Sequence, residues 1–307
     1  MITYAQEKFI EQAILGVLSQ ECDFEIELII ANDCSPDKTD YIIQKIIKNH
    51  SRGKWIKYIE NSENLGMMAN SKMVLQECKG EYIAVCEGDD YWINPNKLQK
   101  QVSFLEANPE YILTFHNAHV INSINNTKQL FVESYSKTDY NVEDIFESWL
   151  IPTASMVFRN CLGDNFPDFF LKSTHGDLAL QVYLFEFGKF FAHQEIMSVY
   201  RINENSVTVT SFSSIEHNNK HIKQLKLMNI FFLCKYNNII EKRIFLYYLR
   251  NANTFRKKDI TKPIYWIFKA AFFQPKLVIC LKTQFFYSIK AVLFTIRIFL
   301  KLKKNVE

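Results

Sequence analysis

The sequence predicts an α/β fold: a mostly parallel sheet flanked by helices over residues 1–212, then a helical, aromatic and basic region over 213–307. Three observations carry that prediction. Short β-branched runs alternate with amphipathic stretches of about 10 to 15 residues up to residue 110, the pattern of βαβ units. Polar clusters follow two of the apolar runs directly, where open α/β sheets bind ligands. From residue 215 onward the strand-like runs give way to a helical pattern rich in Phe, Ile, Leu and Lys.

The elements follow in order. Phe9, Ile10, Ala13, Ile14, Val17 and Leu18 share one helical stripe in EKFIEQAILGVLSQ. EIELIIAND reads as a buried strand ending in polar residues. The next helix has Ile42, Ile43, Ile46 and Ile47 on one face, with Ser35 or Asp37 as its cap. KWIKYIEN alternates as a strand does, LGMMANSKMVLQECKG is a helix closed by Gly80, and EYIAVCEGDD is the next strand. Leu98, Val102 and Leu105 line a helix between Pro95 and Pro109. Residues 111–212 change texture to α+β, with strands in YILTFHNAHVI, TASMVFRN and EIMSVYRIN and helices in VEDIFESWL and DLALQVYLFEFG. The Ser/Thr/Asn-rich stretch 203–219 is the expected boundary before the helical region.

Composition narrows the function classes. With 307 residues, 48% of them hydrophobic, the chain can bury a sizeable core. A formal charge of +3 gives no argument for nucleic acid as a partner. Seven cysteines, at 22, 34, 78, 86, 161, 234 and 280, form no C-x-x-C pair and read as reduced thiols, as in cytoplasm. MITYAQEKF is not a secretory leader, and no run of about 18 residues is free of charge, so no spanning helix is expected.

The segment AVCEGDDYW crowds Glu87, Asp89 and Asp90 at the end of an apolar run. Hard cations such as Mg²⁺ and Mn²⁺ take such oxygen ligands, usually one or two carboxylates plus substrate phosphates. A solvated acidic turn is the alternative reading of these four residues taken alone.

The wider run ENLGMMANSKMVLQECKGEYIAVCEGDDYWINPNKLQKQVSFLEANPE resembles the bacterial family-2 glycosyltransferases, inverting enzymes with a GT-A fold. The resemblance reaches back through ELIIANDCSPDKT and forward to HGDLAL and VYRINENS, covering roughly residues 1–210. It implies a GT-A, Rossmann-like sheet with a nucleotide-binding half over about 1–110 and an acceptor half over about 111–212. Glu87, Asp89 and Asp90 then resemble the Mn²⁺ or Mg²⁺ ligands, with Asp89 also at the donor. Asp33 is similar to the residue that reads the nucleotide base. Thr3, Tyr4, Asn64 and Gly66 border the nucleotide, and Asp177 resembles the general base. Without the resemblance, Asp177 reads as a helix N-cap. The implied partners are a nucleotide-sugar donor, UDP-linked, and a hydroxyl on a saccharide or glycolipid acceptor, in cell-surface polysaccharide synthesis.

Two departures from the family pattern stand out. The family carries an apolar first strand before its Thr-Tyr-Asn, and here the chain begins within it, reading Thr3-Tyr4-Ala5; an upstream start is the expectation. The family's Tyr-Arg-x-His reads Tyr200-Arg201-Ile202-Asn203, and Asn203 is a weaker metal ligand that does not titrate. Arg201 suits either a diphosphate or a nearby carboxylate, and His175 either the acceptor mouth or a plain loop. His116 and His119, three apart on a strand, face opposite ways and read as structural, and Cys86 reads as core.

The tail KPIYWIFKAAFFQPKLVICLKTQFFYSIKAVLFTIRIFLKLKK suits a bilayer interface, with Lys301, Lys303 and Lys304 toward anionic lipid at the cytoplasmic face of an inner membrane. A helical cap or dimer surface is the alternative. Two other classes stay open: a non-catalytic sugar-nucleotide-binding or scaffold subunit, and a nucleotidyltransferase. The second needs a glycine-rich loop after its first strand, and TYAQEKF has no glycine.

Overall fold

A computed structural model describes residues 1–163, 166–167, 169–204, 206, 214–254, 265–266 and 269. The chain divides into two compact units, Met1–Thr210 and Ser211–Glu307.

The first unit opens with a short strand β1 (Ile2–Thr3), helix α1 (Ile10–Leu18), strand β2 (Leu28–Asn32), helix α2 (Thr39–Asn49) and strand β3 (Ile56–Glu60). All three strands run parallel in the order β1-β2-β3. Every residue of β2 is buried, as a central parallel strand requires. The predicted stripe of α1 is its buried face, except that Phe9 lies just before the helix. Gly16 lets α1 press on the Trp92 backbone, since a Cβ there would lie 2.9 Å from both its N and O. At α2, Asp37 accepts from the Thr39 N–H (3.0 Å), while Ser35 instead accepts from Ala5 N–H (3.0 Å).

Helix α3 (Met67–Glu77) and strand β4 (Tyr82–Ala84) follow, then β5 (Tyr91–Trp92), helix α4 (Lys97–Ala107) and a long strand β6 (Tyr111–Asn122). Gly80 does not close α3 by a left-handed turn as expected: the helix ends at Glu77, Cys78 is extended, and the Glu27 carboxylate accepts from Lys79 and Gly80 N–H. Strands β7 (Thr127–Leu130) and β8 (Asp139–Tyr140), helix α5 (Val142–Glu147), strand β9 (Val157–Arg159), helix α6 (Gly176–Leu184) and strand β10 (Lys189–Ile202) complete this unit.

The second sheet runs β4-β9-β6-β10-β5, with β7 on β6 and β8 on β10. Here the expectation of a mostly parallel sheet needs refinement. β6 and β10 are parallel, but β4–β9, β6–β9, β6–β7, β10–β5 and β10–β8 are antiparallel. The α/β class and its flanking helices stand. α4 covers one face of this sheet through Leu98, Val102 and Leu105, and its Gln101 amide donates to Thr114 and to the Ser155 carbonyl.

In the second unit, α7 (Ile215–Phe231) and α8 (Asn237–Thr254) form a hairpin. Ser214 caps α7 by accepting from His217 N–H (3.0 Å). Ile222, Leu225 and Met228 on α7 and Ile240, Ile244 and Phe245 on α8 are buried. A buried bond from Asn218 to Asn251 (2.6 Å) ties the start of α7 to the end of α8. Among the described residues no helix is long and apolar enough to cross a membrane. Most of the aromatic tail, Lys301, Lys303 and Lys304 included, lies outside the described residues.

Candidate active site

The site grows from two strand ends. After β2, the buried Asp33 carboxylate accepts from Asn61 Nδ2 (2.8 Å), Leu65 N–H (2.8 Å) and Gly66 N–H (2.9 Å). Asn64 turns its own side chain onto Gly66 N–H (3.0 Å), and Gly66 adopts φ +84°, which glycine takes without strain. Asn61 also reaches Asn70 (3.0 Å), whose amide returns to the Ala31 carbonyl of β2. Asp33, Asn64 and Gly66 therefore form one structure: a loop hung on one carboxylate.

After β4, Gly88 N–H donates to the Ile2 carbonyl (3.0 Å), joining the acidic segment to β1. Glycine is required here, since a Cβ would lie 2.8 Å from Thr3 Oγ1 and 2.9 Å from its Cβ. Thr3 is buried and donates to Gln6 (2.7 Å), and Gln6 in turn hydrogen-bonds the Asp89 carboxylate. Tyr4 is exposed beside them. Ala5 holds a left-handed φ of 54°, which an L-residue other than Asn, Asp or Gly adopts at a cost.

The acidic residues divide into two groups. Asp90 is 1% exposed and points inward: Oδ1 accepts from Arg201 N–H (2.9 Å), and the enclosed Oδ2 has no hydrogen-bond partner. Burial, then the charges of Asp89 and Glu87, hold its carboxyl well above the usual range. Glu87 and Asp89 are half-buried. Burial, then the negative charges of Asp89 and Asp177, push Glu87 up to about 8. Asp177 is pushed up to about 6 by burial, against hydrogen bonds from its own N–H and that of Leu178. Glu87 and Asp177 lie close enough for the charge of Asp177 to act on Glu87, so the two titrate together. Burial raises Asp89 as well, against its own N–H, Arg201 and Gln6.

Asp177 is the second residue of α6, not its cap, a position held by His175, whose side chain does not make the capping hydrogen bond. A helix N-terminus favours the ionised carboxylate. Buried His175 packs its ring edge-on to Trp149 at 5.0 Å. Among the described residues no three metal-ligating side chains converge on one point. Within the expected trio, Glu87 feels the charges of both Asp89 and Asp177, while Asp90 is the one whose carboxylate is enclosed. Glu87 and Asp89 still offer the one or two hard oxygens that Mg²⁺ or Mn²⁺ takes beside substrate phosphates.

Arg201 straps this segment. Its guanidinium donates to the Asp89 carbonyl (2.6 Å) and to Gln12, and it lies over the Tyr91 ring (4.2 Å). The charges of Asp89 and Asp90 also act on this guanidinium. Asn203 N–H donates to Ser206 Oγ (2.9 Å) in a turn just after β10.

Behind the acidic segment lies a feature the sequence reading missed. Lys97 is fully buried with Nζ 4.2 Å over the Trp92 ring, and burial pushes the ammonium down to about 7. Its Nζ, Gln101 Oε1, His116 Nε2, His193 Nε2 and Ser198 Oγ are buried without hydrogen-bond partners. Strand register puts Trp92, His116, His193 and Ser198 on one sheet face. His116 Nδ1 meets the Asn117 carbonyl (2.8 Å), so that nitrogen carries the proton in the neutral ring. Burial pushes the Cys86 thiol up, making it an inert core residue as expected. Gln6 and Asn61, in short loops, and Gln12, on the solvent side of α1, were also missed, since polar residues outside a buried stripe carry no periodic signal.

Residues 1–166 match the model of glycosyl transferase family 2. The putative colanic acid biosynthesis glycosyl transferase WcaA of Escherichia coli is 25% identical over 216 residues, 69% of this chain and 74% of that protein. The chain spans 45% of the length of mycobacterial relatives to which it is 37% identical over 158 residues. Among solved structures, Staphylococcus aureus TarS bound to UDP-GlcNAc superposes with a TM-score of 0.64 at 18% identity, covering 89% of this chain and 78% of that one. The mannosyltransferase PcManGT of Pyrobaculum calidifontis, bound to GDP-Man and Mn²⁺, gives 0.57 at 11% identity, covering 97% and 79%. These likenesses establish the GT-A fold.

Proposed function

The chain belongs to glycosyl transferase family 2, and on that premise we propose that it moves a sugar from a UDP-linked donor to a hydroxyl of a saccharide or glycolipid with inversion, in cell-surface polysaccharide assembly. The observation that carries this reading is the shared electrostatic neighbourhood of Glu87, Asp89 and Asp177, formed where a strand end meets a helix N-terminus. UDP-GlcNAc in TarS and the colanic acid role in the printed name of WcaA support the donor and pathway class.

Glu87 and Asp89 would hold a Mn²⁺ or Mg²⁺ ion, which supplies charge neutralisation for the departing diphosphate. Asp177, ionised above about pH 6, takes the proton of the acceptor hydroxyl. The acceptor oxygen forms its bond to the anomeric carbon as the carbon–phosphate oxygen bond breaks, its electron pair leaving with the nucleoside diphosphate. One in-line displacement inverts the centre, and no covalent enzyme intermediate is needed. Asp33 keeps capacity for about one further donor, since three of its roughly four acceptor positions are filled. That remaining position suits an imide N–H of the base. His175 and Trp149 form an aromatic wall for the acceptor.

The test is thermal stability of the full chain with Mn²⁺ or Mg²⁺ and a series of nucleoside diphosphates. A metal-dependent rise with UDP, absent in Glu87→Gln/Asp89→Asn, is expected. No rise with any nucleotide in the folded protein overturns the donor site.

A further inference from the structure

The turn between α7 and α8 shows its most apolar residues to solvent. Ile230 is 69%, Phe231 46% and Leu233 90% exposed. Leu233 also occupies a costly backbone conformation. Leu233 N–H donates to the Ile230 carbonyl (3.1 Å) and Cys234 N–H to the Asn229 carbonyl (2.8 Å), the paired bonds of a Schellman helix end. That motif needs a left-handed residue at the first position past the cap, where glycine is the usual choice. Here the position is Leu233, at φ 48°, followed by Cys234 at φ 62°. A bulky residue at positive φ is an outlier, and neither burial nor backbone geometry accounts for this leucine.

The surroundings say what would cover it. Residues 214–240 carry Lys220, Lys223, Lys226 and Lys235 against a single acidic residue, Glu216, which pairs with Lys220 (2.9 Å) at the far end of α7. All four lysines are exposed. At 100° per residue, Lys220, Lys223 and Lys226 run along the same side of α7 as Ile230. An apolar tip with lysines stepping back from it has the layout of an interfacial element: the tip enters the acyl boundary and the ammonium groups meet phosphate headgroups. An acidic protein partner would match the lysines, but it leaves Leu233 without an apolar counterpart.

We propose that the α7–α8 turn is a lipid-docking tip, with Ile230, Phe231 and Leu233 inserted into an anionic bilayer surface and Lys223, Lys226 and Lys235 against its headgroups. It stands apart from the donor-site reading, since vesicle binding needs no sugar nucleotide. It also differs from the tail expectation, because it assigns the contact to described residues upstream of the tail.

The experiment is co-sedimentation of the full chain with phosphatidylcholine vesicles, with and without a minority of phosphatidylglycerol. Wild type is expected to bind the anionic vesicles and to lose binding to pure phosphatidylcholine. Ile230→Asp/Leu233→Asp should weaken binding by on the order of tenfold or more. Lys223→Gln should weaken it by roughly fivefold, with the apolar tip intact. Because these side chains are exposed, thermal melting should match wild type and certify that each variant is folded. Wild-type binding retained in the double aspartate variant overturns the proposal, as does a wild type that ignores both vesicles. Sedimentation velocity without lipid covers the remaining occupant: a dimer that the aspartate variant dissolves would assign the tip to a second copy and overturn the proposal.

Discussion

Asp33 and Asp90 are both carboxylates buried near strand ends of the same unit, and their surroundings are opposite. Three donors on Asp33 engage both oxygens and organise a six-residue loop from Asn61 to Gly66. Asp90 receives one main-chain N–H, keeps an enclosed oxygen without a partner, and has two further carboxylates beside it. The first region is complete as protein. The second has the Arg201 charge beside it, and its remaining negative charge calls for protons or a cation, because buried like charges raise one another's affinity for either. The difference teaches where binding would change the molecule: the Asn61–Gly66 loop is prepared in advance, and the acidic segment is not.

The largest expected effect lies on the acidic side. Asp177→Asn should lower kcat by roughly 10²–10⁴-fold if Asp177 is the base, measured as single-turnover sugar transfer. Unchanged turnover would reduce it to a residue of the helix end. Next comes a contrast in sign. Asp33→Asn should cost about 2–4 kcal/mol in urea unfolding, because an amide NH₂ would face donors that need an acceptor. Asp90→Asn should be neutral or stabilising without metal, since the Arg201 N–H keeps its acceptor. Equal losses in both variants would break the comparison.

A smaller effect concerns pH. Folding raises Glu87 from 4.5 to about 8 and Asp177 from 3.8 to about 6, so the folded state binds more protons than the unfolded. The associated stability is fully present below about pH 4 and is lost as pH rises through 6 and then 8. Metal-free protein should therefore lose Tm across that window, Glu87→Gln should flatten the upper part, and Mn²⁺ should restore it. A Tm that is flat from pH 5 to pH 8 would contradict the electrostatics. The smallest effect lies at the turn after β1. Ala5→Gly should stabilise by about 1 kcal/mol by relieving the left-handed φ of 54°.

Much of this was legible in the chain. The stripes of α1 and α4 and the fully buried β2 follow from local periodicity, which needs no tertiary information. Glu87, Asp89 and Asp90 were visible as a cluster, but not their division, because the inward turn of Asp90 depends on a backbone N–H 111 residues away. Arg201 was open between phosphate and carboxylate, and its bonds to the Asp89 carbonyl and to Gln12 span 112 and 189 positions of the chain. The antiparallel pairing of β4 with β9 likewise joins residues some 75 positions apart, which spacing cannot reveal. Lys97 read as an ordinary helix residue; only the sheet face beneath it shows an enclosed ammonium.

That ammonium has an optical consequence. Lys97 Nζ sits over the ring of Trp92, two residues beyond Asp90 in the wall of the acidic segment. A unit charge held against an indole face shifts the energy of its excited state, so Trp92 acts as a dye fixed at a known spot. Trp92 is one of four tryptophans, so a change in the charge or position of that lysine is written in the part of the emission that Trp92→Phe removes. The protein thus carries a native fluorophore that watches its acidic segment from behind, with no label added.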